Sequence, residues 1–406
     1  MRLCYLLAVF SFFFSILNGV EPSQAIVPKR PVILIIGTRP EAIKMIPVYQ
    51  ALQKENIPTI LCSTGQHTEL LDSAFSLFEV VPDFDLKIME PEQSLFHITK
   101  AVLEKTEKLF KELTPSLVVV QGDTTSAMAA ALAAFYLQIP VAHVEAGLRS
   151  GNIKEPFPEE LNRKMISLLA SYHFAPTEHS ASKLLEEGIE KKRIFCTGNT
   201  VVDALIEVQK KIRTGKLSPS FFLKEEINRH QKLGNRTLLL TAHRRESLNG
   251  GLQNIFSGVK AALERYPNLH IIYASYPNPI IQKIIKETNL ASLPNISIFS
   301  ALPYPDMVYL LSHVDGVATD SGGIQEEAVS LSKPVLVLRN EIDRPEGLLG
   351  GAILVGTDPD MILQEIEKFM EKDLMISKIQ PIYGDGHSSE RVAKIIKNIL
   401  KQKGSL

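Results

Sequence analysis

The sequence predicts an α/β fold with two Rossmann-like domains that face a cleft. Short apolar runs alternate with longer helical patterns from Pro31 onwards, and the runs end in polar or glycine-containing turns. The same order of parts occurs twice along the chain. Such alternation is typical of parallel sheets covered by helices on both faces. Ligand-binding residues are therefore expected just beyond the carboxyl ends of the strands.

The first domain is predicted from a series of strand-like runs between residues 32 and 196. Residues 127–137 (AMAAALAAFYL) form a helix sequence that is almost wholly apolar, so this helix is expected to lie buried between layers. The predicted strands are Val32–Ile36, Pro58–Cys62, Leu117–Val120, Val141–Val144 and Ile194–Cys196.

The second domain is predicted to begin after a polar linker region, residues 210–236, which has little strand pattern. The expected division is an N-terminal domain over residues 28–209, a nucleotide-binding domain over 210–385 and a final helix within 386–406. That last helix could pack back on the N-terminal domain. The predicted strands are Leu238–Leu240, Ile271–Tyr273, Ile296–Phe299, Gly316–Ala318 and Pro334–Leu338.

Residues 1–27 are expected to lie outside this fold. A basic start at Arg2, an apolar run from Leu3 to Leu17, and small residues at Ser23 and Ala25 give the layout of a secretory signal peptide. The run is shorter than the ~20 residues of a spanning helix, so no stable membrane insertion is expected. The alternative interpretation is a mis-assigned start or an apolar tail that is not removed.

Composition excludes several classes of function. Lys and Arg number 44 and Asp and Glu number 45 in 406 residues, which gives a net charge of −1. This balance argues against a polybasic nucleic-acid binder. Three cysteines cannot form a disulfide framework, and there is no CxxC pair for zinc. The dinucleotide, P-loop, HExxH and EF-hand motifs are also absent, so we expect neither a redox cofactor nor a metal.

The segment GTRPEAIK, residues 37–44, directly follows the first predicted strand. Gly37 permits a tight turn, and Pro40 suits the first turn of a helix. Arg39 and Lys44 add cations beside a helix N-terminus, which already favours anions. Phosphate binding is the natural interpretation, with an ordinary turn and solvated charges as the alternative.

Four acid/base candidates also follow predicted strands or open a helix. Asp123 lies where a strand meets a helix, and taken alone it would be a simple N-cap. Glu145 follows an apolar strand, so partial burial and a raised pKa are expected. Glu159 could merely open a helix, where acids suit the dipole. His243 follows the first strand of the second domain, where it could contact a ligand. A purely structural role is the alternative interpretation.

The segment DSGGIQEEA, residues 320–328, suits a phosphate and a sugar. Gly322 and Gly323 at a helix start let backbone N–H groups approach a phosphate closely, and Ser321 adds a hydroxyl. Glu327, one turn into the helix, could bind a ribose diol, and Arg344 is a further cation. Together these turns imply a cleft for a nucleoside diphosphate linked to a group that undergoes acid/base chemistry. No Ser or Cys nucleophile beside a base is evident.

The ordered motifs GTRPEAIKMIPV, TGQH, GDTTSA, HVEAGLRSGN, FPEELNR, TGNTVVDAL, HRRES, DSGGIQEEA and RPE resemble those of the non-hydrolysing bacterial UDP-N-acetylglucosamine 2-epimerases. The resemblance covers nearly everything from Val32 to about Arg391. It implies a two-domain fold like that of the GT-B glycosyltransferases, and a homodimer. It also implies interconversion of UDP-GlcNAc and UDP-ManNAc, without a redox cofactor, by elimination of UDP and its readdition to 2-acetamidoglucal.

The resemblance also implies roles for residues at matching motif positions. Asp123, Glu145 and Glu159 match the acid/base carboxylates, and His243 matches a histidine near the leaving diphosphate. Gln66 and His67 resemble residues of an allosteric UDP-GlcNAc site. The expected substrate contacts are Arg39, Lys44, Ser321, Gly322, Gly323, Glu327 and Arg344.

Three positions depart from the family pattern. Tyr276 stands where a histidine is expected. Leu302 and Met307 replace the Gln and Phe that commonly line the uracil pocket. Because the Leu302 side chain cannot form a hydrogen bond, backbone groups would have to hold the uracil.

Other functions stay open at this point. A GT-B glycosyltransferase would share the UDP site, but nothing identifies its acceptor. A hydrolysing relative would release UDP and free ManNAc, and a nucleotide-sugar sensor would bind without turnover. An enzyme of this family is expected in the cytoplasm, in cell-surface polysaccharide biosynthesis. The alternative is export, if the first 25 residues act as a signal peptide.

Overall fold

The structure is a computed structural model that describes residues 30–66, 69–91, 93–244, 250–300, 302–342, 344–371 and 382–404. The signal-like leader, residues 1–27, and His67 lie outside the described residues. None of the helices in these ranges combines the length and apolarity needed to cross a membrane.

The first half of the chain forms a seven-stranded parallel sheet in the order β3-β2-β1-β4-β5-β6-β7. In its register, Val32 pairs with Thr59 on one side and with Leu117 on the other. The strands are β1 (Val32–Ile36), β2 (Thr59–Ser63), β3 (Phe84–Asp85), β4 (Leu117–Gln121), β5 (Val141–Val144), β6 (Tyr172–Ala175) and β7 (Ile194–Cys196). The helices are α1 (Arg39–Lys54), α2 (Glu69–Leu77), α3 (Leu95–Leu113), α4 (Thr125–Tyr136), α5 (Glu159–Leu169), α6 (Glu178–Glu186) and α7 (Thr200–Arg213).

Strand β1 shows why the apolar runs are continuous rather than alternating. All five of its residues are fully buried. Leu34 and Ile36 belong to the apolar cluster on one face of the sheet, while Ile33 and Ile35 belong to the cluster on the other. Helices cover both faces of a parallel sheet, so successive side chains both need to be apolar.

The second half forms a six-stranded parallel sheet in the order β10-β9-β8-β11-β12-β13. Its strands are β8 (Arg236–Thr241), β9 (Leu269–Ser275), β10 (Ile296–Ser300), β11 (Gly316–Thr319), β12 (Val335–Val337) and β13 (Ala352–Leu354). The helices are α8 (Phe221–Lys232), α9 (Gly251–Arg265), α10 (Pro279–Glu287), α11 (Tyr304–His313), α12 (Gly322–Ser330), α13 (Pro359–Glu371) and α14 (Ser388–Gln402).

The predicted α/β class and the two parallel sheets are confirmed, although the sequence pattern missed strands β3, β6 and β13. The expected linker, residues 210–236, contains helix α8 and the first residue of β8. Residue 209, the expected end of the first domain, lies within α7, which continues to Arg213.

The last helix, α14, packs on α1 and α7 rather than on the second sheet that precedes it. Asp203 of α7 accepts hydrogen bonds from the backbone N–H groups of Ser388 and Ser389, at 3.2 and 2.7 Å. A carboxylate at this position satisfies free donors and suits the positive end of the helix dipole. Ile396 and Leu400 are buried in the same cluster as the residues of α1.

Candidate active site

A cavity of about 360 Å³ lies between the two sheets, beyond the carboxyl ends of their strands. Turns after β1, β4 and β5 form one wall, and turns after β8, β11 and β12 form the other. Parallel strands direct their carboxyl ends to one edge of a sheet, so this is where a ligand site is expected. Most of the predicted site residues line it: Arg39, Lys44, Asp123, Glu145, Glu159, His243, Ser321, Gly323, Glu327 and Arg344.

Glu145 lies at the bottom of the cavity and is 6% exposed. Its backbone adopts a left-handed conformation, with φ of 64°, which costs a residue with a side chain about 1–2 kcal/mol. Lys44 Nζ lies 2.6 Å from Glu145 Oε1, and Asn199 Nδ2 donates to the same oxygen at 3.3 Å. Gln121 donates to the other oxygen. Side chains from three separate segments therefore fix this carboxylate.

The pKa of Glu145 lies below its ordinary value. Burial alone would raise that pKa, but the charges of Lys44 and Arg344 outweigh it. The raised pKa expected from the sequence is therefore wrong. The apolar strand before Glu145 predicted the burial of this carboxyl group, but it carried no sign of the two cations.

Four buried charges, Lys44, Glu145, Glu326 and Arg344, form a cluster that connects the two halves of the protein. Arg344 Nε donates to Glu326 Oε1 at 2.6 Å, and Lys44 Nζ lies 3.6 Å from Glu326 Oε2. We call these residues the charge cluster. Glu326 is not among the site residues predicted from the sequence. The sequence feature that could have predicted Glu326 is the pair of acids at 326 and 327, just after the two glycines.

Asp123 lies at the mouth of the cavity and is not the cap of the following helix. Thr124 is the N-cap of α4, because its hydroxyl accepts a hydrogen bond from the N–H of Ala127 at 3.0 Å. The Asp123 carboxylate instead accepts two hydrogen bonds from Arg163, one of them from Nε at 3.1 Å. The simple N-cap interpretation is therefore wrong, and Asp123 is held beside the cavity by an ion pair in which both Arg163 donors meet Oδ2.

Glu159 is the first residue of α5, and it also faces the cavity. Burial, followed by the negative charge of Asp123, raises the pKa of its carboxyl group. Within the described ranges, Glu159 Oε2 is buried and has no hydrogen-bond partner. The cavity thus has a carboxyl group whose pKa is lowered, Glu145, and one whose pKa is raised, Glu159.

His243 lies on the opposite wall, where Asp320 orients it. The buried Asp320 carboxylate accepts the backbone N–H groups of His243 and Arg244 at 2.6 and 2.7 Å. Its other oxygen lies 3.5 Å from His243 Nδ1. The His243 ring also stacks on Tyr276, with ring centroids 5.6 Å apart. A side chain placed this firmly can present a ring nitrogen to a ligand in the cavity.

The turn Ser321–Gly323 directs the N-terminus of α12 at the cavity. A Cβ atom on Gly322 would lie 2.3 Å from Arg344 Nη1, so only glycine permits the guanidinium to lie against this backbone. A Cβ atom on Gly323 would meet nothing within 4 Å. The helix end and Arg344 together form a site suited to a phosphate group.

Glu327 is buried one turn further along α12, where the Tyr304 hydroxyl donates to its Oε1 at 2.6 Å. Burial raises the pKa of Glu327 to about 7. Tyr304 was not predicted from the sequence, since nothing in its segment distinguishes it from a packing residue. Leu302 and Met307, two of the departures from the family pattern, line the same cavity.

A second cavity of about 640 Å³ adjoins the first and shares Asp123, Glu159 and His243 with it. Gln66 and Tyr276 line this second cavity. Gln66 is fixed in place, because its Oε1 accepts the Ser126 hydroxyl at 2.6 Å. The third departure, Tyr276, therefore lies beside the second cavity, and the regulatory role of Gln66 stays a prediction.

The arrangement suits a ligand with a negatively charged diphosphate and a proton to be moved. Cations and a helix N-terminus would bind the diphosphate, while carboxyl groups in contrasting environments can accept and donate protons. Among the described residues, the side chains that could together hold a metal ion, Glu226, His230 and His270, are not part of this cavity.

Comparison with known proteins gives a consistent result. Residues 50–397 match the family model described as UDP-N-acetylglucosamine 2-epimerase. A UDP-N-acetylglucosamine 2-epimerase of Yersinia pestis is 41% identical over 374 residues, which cover 90% of this chain and 98% of that protein.

Solved structures agree with the sequence comparison. UDP-GlcNAc 2-epimerase from Neisseria meningitidis, bound to UDP-GlcNAc, is 40% identical with a TM-score of 0.84, covering 91% of this chain and 100% of that one. The enzyme from Methanocaldococcus jannaschii, in complex with UDP-GlcNAc and UDP, is 34% identical with a TM-score of 0.79, covering 91% and 99%.

Proposed function

The chain belongs to the UDP-N-acetylglucosamine 2-epimerase family and has its GT-B-like fold, and we propose that it interconverts UDP-GlcNAc and UDP-ManNAc. The family match supports the substrate, since the most similar solved structures include epimerases bound to UDP-GlcNAc. The cavity between the two sheets supports the chemistry, because it combines sites for a diphosphate with several carboxyl groups.

The proposed reaction proceeds by elimination and readdition. An enzyme base takes the C2 proton, the electron pair of that C–H bond forms the C1=C2 double bond, and the C1–O bond breaks as UDP leaves with its electrons. The products are 2-acetamidoglucal and UDP. The reverse reaction, with a proton delivered to the other face of C2, gives the epimer. Because UDP itself takes up the electron pair, no external electron acceptor is needed.

The observation that carries this proposal is the contrast between the carboxyl groups beside the cavity. Lys44 and Arg344 lower the pKa of Glu145, whereas burial and a neighbouring negative charge raise the pKa of Glu159. Transfer of a proton onto one face of C2 and off the other needs one group to accept and another to donate. We propose that Asp123, Glu145 and Glu159 share these roles.

The second sheet would hold the UDP. In our proposal the diphosphate binds at the N-terminus of α12 against Ser321, Gly323 and Arg344, with His243 beside the leaving oxygen. The ribose diol would bind to Glu327. Leu302 leaves uracil recognition to backbone groups. Arg39 would approach the ligand from the first wall.

We also propose that the enzyme acts as a homodimer in the cytoplasm and supplies UDP-ManNAc to polysaccharide synthesis. Size-exclusion chromatography with light scattering measures the assembly, for which a mass twice that of one chain is expected. N-terminal sequencing of the native protein tests the location, because a start at Ile26 would instead indicate export.

An NMR time course of UDP-GlcNAc with the protein in D2O tests the activity. We expect UDP-ManNAc to form and deuterium to enter at C2 of both sugars, because the abstracted proton exchanges with solvent. Release of UDP with free ManNAc would instead indicate a hydrolysing enzyme. Intact UDP-GlcNAc without deuterium uptake, under conditions where UDP-GlcNAc binds, would overturn the proposal.

A further inference from the structure

Two buried histidines and one half-buried glutamate form a group outside the cavity between the sheets. Glu226 and His230 are one turn apart on α8, and His270 is the second residue of β9. These positions are at the amino ends of the second sheet's strands, whereas the cavity lies beyond the carboxyl ends. None of the three residues lines that cavity, so the proposed epimerisation does not use them.

One potential ligand atom from each of the three side chains lies within 4.8 Å of the other two. His230 Nε2 lies 3.3 Å from Glu226 Oε1, and His270 Nε2 lies 3.2 Å from the same oxygen. A tetrahedron with metal–ligand bonds of ~2.0 Å has an edge of about 3.3 Å. These two separations therefore fit a single metal ion between the three groups. The imidazole rings stack with centroids 3.4 Å apart. Each Nε2 lone pair lies in its own ring plane, so the rings must tilt apart for both nitrogens to bind one ion.

Burial leaves these histidines short of partners. His230 is 3% exposed and His270 is 1% exposed. Among the described residues, His230 Nε2 and His270 Nδ1 are buried without a hydrogen-bond partner. A buried nitrogen without a partner is costly, and a bound cation would remove that cost at His230.

We propose that Glu226, His230 and His270 bind a divalent transition metal ion such as Zn²⁺. Two imidazole nitrogens and one carboxylate oxygen are ligands that Zn²⁺ prefers. The Ser297 hydroxyl contacts Glu226 and lies 3.0 Å from His270 Nε2, so this hydroxyl, or a water that it holds, completes the tetrahedron.

Asn235 provides the outer support that such a site needs. Its amide nitrogen, Nδ2, lies 2.9 Å from His230 Nδ1. A ligating histidine donates its other ring N–H to an acceptor, which fixes the tautomer. With the amide turned so that its oxygen faces the ring, Nδ1–H donates to Asn235 and Nε2 is left to the metal. The two orientations of an amide differ in hydrogen bonding and not in shape.

The proposed site joins three elements of the second half that are separate along the chain. It connects α8, the first helix of that half, to the starts of β9 and β10 through Glu226, His270 and Ser297. A metal held here stabilises the folded protein in proportion to its affinity, since the ligands are dispersed in the unfolded chain. Its role is therefore structural.

The test is titration of the chelator-treated full-length protein with Zn²⁺ by calorimetry, and with Co²⁺ by visible absorption. We expect one equivalent of Zn²⁺ to bind, intense visible bands typical of four-coordinate Co²⁺, and no heat with Mg²⁺. Glu226→Gln keeps the shape of the side chain and should weaken Zn²⁺ binding by about 100-fold or more, since even loss of an outer partner costs 10–100-fold. His230→Gln should behave likewise.

The control is His387→Gln, which alters an exposed histidine 3.5 Å from Glu390, and it should leave Zn²⁺ binding unchanged. Zn²⁺ should raise the melting temperature of the unaltered protein and of this control, but not that of Glu226→Gln. Circular dichroism confirms that each variant is folded, and Glu226→Gln should still epimerise UDP-GlcNAc. Absence of stoichiometric binding, or equal affinity in Glu226→Gln, would overturn the proposal and leave a hydrogen-bonded cluster.

Discussion

Arg344 Nη2 lies 3.5 Å from Glu145 Oε1, although the two residues follow strands of different sheets. This contact places one member of the charge cluster on each side of the cavity. A diphosphate that binds at α12 would compete with Glu145 for Arg344. Because Arg344 helps to hold the pKa of Glu145 low, ligand binding should raise that pKa and make the carboxylate a better base.

Removing one member of the charge cluster should lower the free energy of unfolding as well as the activity. Glu145→Gln leaves Lys44 and Arg344 with one carboxylate, Glu326, and loss of one partner of a buried ion pair typically costs about 3–5 kcal/mol. We expect a loss of about 3 kcal/mol in the free energy of unfolding, measured by urea denaturation. Lys111→Gln, in an exposed pair on α3, should cost less than about 1 kcal/mol. Equal losses in the two variants would show that the cluster is not stabilising.

The two glycines at the start of α12 should respond differently to the same substitution. Gly322→Ala places a methyl group 2.3 Å from Arg344 Nη1 and must displace the guanidinium. We expect a lower melting temperature and UDP binding weakened by about tenfold or more, since a charged phosphate contact of about 1.5 kcal/mol or more is lost. Calorimetry with UDP measures the affinity.

Gly323→Ala is the matched control for stability. Its added methyl group meets open space, and alanine favours a helix by up to about 1 kcal/mol over glycine. The melting temperature of the unliganded protein should therefore stay the same or rise. A Gly322→Ala protein as stable as Gly323→Ala would contradict the close packing of Arg344 described above.

The buried Glu327 should make stability depend on pH. Its pKa is about 7 in the folded protein against an ordinary value of 4.5, so the folded state holds a proton in this range that the unfolded chain has lost. Stability should fall as pH rises from 4.5 through 7, by about 3 kcal/mol from this residue. Glu327→Gln keeps an acceptor for Tyr304 and should remove this part of the fall.

The measurement is the free energy of unfolding of both proteins across that pH range. Glu41, whose pKa is also about 7, contributes equally to both proteins and cancels in the difference. Glu112→Gln on the exposed face of α3 serves as the control and should follow the unaltered protein. Parallel pH profiles for Glu327→Gln and the unaltered protein would refute the assigned shift.

Asp123→Asn tests the acid/base role most directly. The amide retains the size of the side chain but cannot exchange a proton, so turnover should fall by a factor on the order of 10²–10⁴. UDP affinity should change little, because the proposed UDP contacts belong to the opposite wall. Deuterium uptake by NMR and UDP calorimetry measure the two quantities. Full turnover in Asp123→Asn would remove this residue from the mechanism.

The fold was predictable where apolar runs are long enough to bury both faces. Strands β1 and β4 were found for this reason, since every side chain in them is buried. Strand β6 was missed because His173 looks polar in sequence, yet it is fully buried in the sheet. Strand β13 has three residues after a glycine pair, and β3 has two, which is too short for any periodicity.

The position of the site was predictable, but its internal pairings were not. Ligands bind beyond the carboxyl ends of parallel strands, and this predicted Asp123 and Glu145, whose turns do line the cavity. Nothing local could pair Lys44 with Glu145, because they are 101 residues apart. Glu326 and Glu327 are neighbours, but a helix turns about 100° per residue, so one contacts Arg344 and the other Tyr304.

Helix α14 sets an order for the synthesis of this protein. A ribosome releases α1 long before α14, yet α14 covers the outer side of α1 and α7 with Val392, Ile396 and Leu400. Until α14 has been made, that apolar side lacks the cover that α14 provides, even though the strands of the first sheet are already complete. The first half therefore depends on residues made much later, and a chain stopped before Ser388 would expose an apolar surface to chaperones and proteases.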